Sequence, residues 1–121
     1  MSEPKFWNEK ESKAKELVDG VTAKLIWGEK IMVGIIDFQP FKEVPEHQHY
    51  HEQCGRVLSG SAWFTVNGEK KLLQSGDHYV IPGNVRHKVQ AGKDGCKALD
   101  IWSPIRDEYS TNQGTNEFFS K

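Results

Sequence analysis

The stretch HQHYHEQCGRVLSG, residues 47–60, sets three histidines at alternate positions, follows them with Glu52 and Gln53, and closes an apolar run on Gly60. In an extended strand, side chains two apart point to the same face. His47 and His49 therefore project together, which suits two ligands of one metal ion. His51 shares their parity. The rest of the chain must supply the remaining ligands and a reason to bind metal.

Outward from this stretch, the sequence reads as short β-type runs separated by turn residues. Gly28-Glu29 divides VTAKLIW (21–27) from KIMVGIIDF (30–38), and Pro40 ends the second run. Gly60-Ser61 separates GRVLS from SAWFTV, and Asn67-Gly68 between SAWFTV and EKKLLQ is a strong type I′ hairpin signal. Ser75-Gly76-Asp77 precedes HYVI, Pro82-Gly83-Asn84 follows it, and GKDG (92–95) leads into CKALDIW. So many short strands imply a sandwich or barrel rather than a βαβ sheet. Residues 1–20 form a polar segment with a short helix expected around ESKAKELV. Residues 21–106 form the barrel, and 107–121 a polar tail whose Phe118 and Phe119 can dock.

Several runs are apolar on both faces. In KIMVGIIDF, Ile31, Val33 and Ile35 share one face and Met32, Ile36 and Phe38 the other, as expected for strands covered outside by a second subunit. A homodimer through this run or VTAKLIW follows. In CKALDIW, Asp100 shares its face with Cys96, Ala98 and Trp102. From the strand alone, that aspartate reads as a solvent-facing or turn-bonded carboxylate.

The 121 residues suffice for one domain with a core of its own. Sixteen Lys and Arg against seventeen Asp and Glu, net −1, give no sign of a nucleic-acid or membrane surface. The longest apolar run, IMVGII, is far too short to span a bilayer. The charged N-terminus lacks a signal core, and Cys54 and Cys96 form neither a CxxC motif nor a disulfide framework. These features point to a cytoplasmic protein with two free thiols, a single Cys54–Cys96 disulfide being the alternative.

His47-x-His49, three residues, Gln53, six residues, Gly60 resembles the first signature of the cupin superfamily. Gly76, five residues, Pro82, then His87 resembles the second. The resemblance implies an all-β, single-domain cupin, a double-stranded β-helix or jelly-roll barrel. It also implies one divalent ion held by His47, His49, Gln53 and His87. Both spacings select Gln53 over the adjacent Glu52. Three imidazoles and a carboxamide oxygen suit Zn, Ni, Fe, Mn or Co. His51 takes a pocket-wall or supporting role, and His78 a structural or surface one. Gln53 stands where cupins usually carry glutamate, so the ion keeps its full charge, which favours a Lewis-acid role towards an anionic substrate. Asn84 replaces a glycine of the second signature, and Asn tolerates the left-handed backbone that glycine would supply.

A narrower resemblance rests on GEKIMVGIIDFQP, HQHYHEQ, the Asn67-Gly68 hairpin, IPGNVRH and DIWSPIRDEY. These runs are similar to the KdgF-type cupins of pectin and alginate degradation, which convert 4,5-unsaturated monouronates to linear keto forms. The resemblance implies Asp100 as acid–base, Arg106 on the substrate carboxylate and Trp102, where phenylalanine is common, at the sugar ring. It overturns the solvent-facing reading of Asp100. Two other classes remain open: an Fe(II)-dependent cupin dioxygenase, and a non-catalytic cupin that binds a sugar or small acid.

Overall fold

Asn67 and Gly68 take φ of 51° and 83°, the paired left-handed residues of a type I′ turn. They close the connection between β5 (Glu52–Val66) and β6 (Glu69–Gln74). The structure, a computed structural model, describes residues 3–110. Its other elements are β1 (Lys15–Val18), β2 (Val21–Trp27), β3 (Met32–Phe38), β4 (Glu43–His47), β7 (His78–Ile81), β8 (His87–Ser103) and a short helix α1 (Asp107–Ser110). The all-β jelly roll expected from the sequence is what forms.

Strands pair in the order β1-β2-β3-β8-β5-β6, with β4 added on β8 and β7 on β5. β5 and β8 pair along almost their whole length, from Glu52↔Ser103 to Val66↔His87. Each therefore serves two walls. The first half of β5 and the second half of β8 join β3 and β7. The other halves join β4 and β6. Inward side chains such as Met32, Ile36, Val57, Phe64 and Val89 fill the space between.

Three local expectations change. The ESKAKELV run does not form an α-helix: a 3₁₀ turn spans Glu9–Glu11, and KELV pairs antiparallel with β2 as β1. Leu17 is the residue of β1 that enters the core, so pairing and burial outweigh helix propensity. The sheet thus begins ahead of residue 21. GRVLS and SAWFTV are one strand, whose register against β8 slips between Val57 and Ser59 and again between Gly60 (φ 75°) and Ala62 instead of turning. GKDG is likewise an excursion inside β8, facing β5 where Gly60↔Cys96 gives way to Ala62↔Ala91. Glycine is required at position 60 because a Cβ there would run into the Gly95 carbonyl. The residues of the tail that carry Phe118 and Phe119 lie outside those described.

Candidate metal centre and acid site

Two cross-strand rows and one loop build the site. His47 at the end of β4 lies opposite His87 at the start of β8, with ring centroids 4.2 Å apart. His49 lies beyond the end of β4, in the turn towards β5, so a bend rather than strand alternation brings its ring to 5.4 Å from that of His47. On the facing wall, Gln53 pairs with Trp102, and Asp100 sits one row deeper between Gly34 and Gly55. Asn84 adopts the left-handed φ of 64° expected of it, and its amide donates to the His49 carbonyl.

The ligand atoms of His47, His49 and His87 lie within 4.8 Å of one another, and all three residues are buried. Each Nδ1 faces a backbone carbonyl: Pro45 at 2.9 Å, His51 at 3.1 Å and Val85 at 2.8 Å. A carbonyl only accepts, so each Nδ1 carries the proton and each neutral ring presents a bare Nε2. Burial, followed by the neighbouring His87, lowers the His47 pKa to about 3; burial, then Arg106, lowers that of His49 to about 4. Burial lowers His87 as well.

The amide of Gln53 is oriented by its NH₂, which donates to Asp100 Oδ1 at 3.0 Å. Its carbonyl oxygen is thereby turned onto His49 Nε2, 3.2 Å away. With the His49 proton on Nδ1, two acceptors face each other with no hydrogen between them, a conflict that a cation relieves. His87 Nε2 is buried without a hydrogen-bond partner, which is costly for a polar atom unless a ligand completes it. The four donors named from the sequence thus fit a divalent ion.

Asp100 is buried, not solvent-facing. Its Oδ1 accepts from Tyr79 Oη at 2.6 Å and from Gln53. Burial raises its pKa to about 6, against the lowering effect of those two bonds and of Arg106. Arg106 is 2% exposed and donates to the Tyr109 hydroxyl at 2.7 Å and to the Glu108 carboxylate at 3.0 Å. Its guanidinium stacks on the Tyr109 ring at 4.1 Å. An ion pair with Glu108 and a place in the interior therefore coexist. Trp102 is buried edge-on to Tyr109, with its indole N–H unpaired.

Asp100, Trp102 and Arg106 line one cavity with His47, Gln53 and His87. Its free volume is about 40 Å³, room for water but below the roughly 300–1,000 Å³ of ordinary ligand pockets. His51 is buried beside His49, its ring 5.3 Å away, and its own face stacks on Tyr50. Glu52 and His78 are exposed. The sequence reading missed Tyr79 and Tyr109. Tyr109 was within reach, since it follows Arg106 by three residues, the spacing of neighbours on one helical turn. Nothing along the chain marks Tyr79, whose contact with Asp100 runs across β5 from β7 to β8.

Residues 34–102 match the cupin domain family. The chain is 30% identical over 107 residues to the pectin degradation protein KdgF of Dickeya dadantii, covering 87% of this chain and 97% of that protein. It resembles the structure of KdgF from Halomonas sp. with a TM-score of 0.83 and 27% identity, over 88% of this chain and 99% of that one. An RmlC-like cupin from Shewanella frigidimarina, 24% identical, shares the fold at a TM-score of 0.83 over 88% and 96% of the two chains. With its two signatures meeting inside one jelly roll and the domain match covering more than half its length, this chain belongs to the cupin family.

Proposed function

We propose that this cupin is a metal-dependent enzyme that converts 4,5-unsaturated monouronates from pectin or alginate breakdown to their linear keto forms. The observation that carries this reading is the shared cavity, where an acid, an arginine and an indole meet the histidine cluster. Its similarity to a pectin degradation protein supports the substrate class. His47, His49, Gln53 and His87 would hold one divalent ion per chain, which would supply positive charge to stabilise an enolate-like oxygen.

The substrate is a cyclic enol ether. Loss of the anomeric hydroxyl proton and cleavage of the C1–O5 bond give an aldehyde, and O5, once protonated, is an enol. A proton then adds to C4 while the enol hydroxyl gives one up, so the product is an isomer with no net redox change. Asp100 takes and returns these protons. Its two recorded hydrogen bonds both fall on Oδ1, which leaves Oδ2 for the substrate. Arg106 anchors the carboxylate through its planar fork, joining or displacing Glu108. Trp102 and Tyr109 wall the sugar ring. Because the cavity is smaller than a sugar acid, its lining rearranges on entry.

Purified protein should speed the loss of near-ultraviolet absorbance from the conjugated C=C–carboxylate unit and consume no oxygen. Oxygen uptake matched to product would favour a dioxygenase, and binding without turnover a sugar- or acid-binding cupin. Arg106→Lys keeps the charge but loses the fork. Its kcat/KM for a carboxylated substrate should fall about 10–200-fold, and an unchanged value would remove Arg106 from carboxylate binding.

The outer face of β3 carries half-buried Val33 and buried Ile35, with Asp37 at its far end and exposed Ile31 just ahead of the strand. A C2 dimer through this face is expected, and light scattering that gives 13.8 kDa across the micromolar range would refute it. The free thiols of Cys54 and Cys96 support a reducing, cytoplasmic setting.

A further inference from the structure

We propose that Tyr79 is a positioning residue for Asp100, fixing which carboxylate oxygen meets the substrate. This rests on the reading of Asp100 as the proton carrier. The arrangement begins with a gap. Gly55 lies between the two residues in the sheet, opposite Asp100 on β8 and opposite Tyr79 on β7. All three positions point into the barrel, and a Cβ on Gly55 would meet the Leu99 carbonyl and, at 2.5 and 2.6 Å, the Oη and Cζ atoms of Tyr79. The missing side chain lets the tyrosine lie across β5 and reach a carboxylate two strands away.

The hydroxyl donates to Oδ1 at 2.6 Å, the same oxygen that accepts from Gln53. Two donors on one oxygen hold the carboxyl plane and leave Oδ2 for the substrate. The hydroxyl keeps its proton in this role, because burial and the adjacent carboxylate push its pKa up. The ring is held independently, packed against Phe64 with centroids 4.5 Å apart. Removing the hydroxyl alone therefore leaves the packing in place. The second donor on Oδ1 links the acid to the metal cluster, since Gln53 faces Asp100 with one end and His49 with the other.

The test is Tyr79→Phe in the metal-loaded full-length chain, with a 4,5-unsaturated uronate as probe. Its kcat should fall about 10- to 100-fold, the scale of one hydrogen bond to a charged group, with KM and metal content near those of the parent and a melting temperature lowered only as far as the loss of one buried hydrogen bond requires. In the Asp100→Asn background the same change should add almost nothing, a coupling that a merely structural tyrosine would not show. An unchanged kcat, or effects of the two substitutions that simply multiply, would overturn the proposal. Should the parent protein fail to turn over the uronate, the functional reading falls and the crystal structure of Tyr79→Phe decides this one. An Asp100 carboxyl rotated or split between conformers supports positioning, and an unmoved one rejects it.

Discussion

The Asp100→Asn variant is expected to lose about 10²–10⁴-fold in turnover of a 4,5-unsaturated uronate while keeping its fold and its metal. The substitution conserves size, and an asparagine carbonyl can still accept from Tyr79 and Gln53, the two donors that hold Oδ1. What disappears is the group that exchanges a proton with the sugar. Removing the carboxylate also takes a negative charge out of a fully buried position, which favours the folded state. Three measurements separate the outcomes: the decay of near-ultraviolet absorbance, the metal content and the melting temperature. Turnover close to that of the parent, with metal retained, would make Asp100 a structural carboxylate.

Substitution at the histidine cluster should act differently, through metal retention. His87→Ala removes one of three converging Nε2 atoms and should abolish both bound metal and activity. Gln53→Ala should weaken the ion less, because an amide oxygen is a poorer donor to a borderline ion than imidazole and water can take its place. In the parent, free metal at about 100 times its Kd stabilises the fold by about 2.7 kcal/mol, so chelation should lower the melting temperature accordingly. Equal metal retention in single alanine variants of His47, His49, Gln53 and His87 would show that the ligand set is wrong.

The parts of this molecule legible in the sequence are those written in local chemistry. Asn67-Gly68 could only be a tight hairpin, and Asn84 declared its left-handed backbone before any coordinates. The resemblance to the two cupin signatures implied that His47, His49, Gln53 and His87 meet, and the fold brings them together. What eluded the sequence depends on partners distant along the chain. The Gly60 and Gly92–Gly95 signals looked like turns, because nothing local says that β5 and β8 run on past them. Leu17 entered a strand instead of a helix because β2 offered it an edge and a core. Asp100 reads as a surface carboxylate from its own strand, and only the family resemblance marks it for the site; the two side chains that hold it, Tyr79 and Gln53, reach it across strands.

The slip at Gly60 has a consequence for how this site tolerates change. β8 carries His87 at one end and Asp100 near the other, and β5 carries Gln53 ahead of the slip and the partners of His87 beyond it. The gap between the cation ligands and the acid is therefore measured out along two strands, with the curvature of those strands as its gauge. Loop tips on the outside, such as Asn67-Gly68, can be rewritten without disturbing that gauge. A side chain at Gly60 cannot, because it would collide with the Gly95 carbonyl where β5 and β8 change register. Position 60, although it contributes no atom to the chemistry, acts as the calibration point of the site.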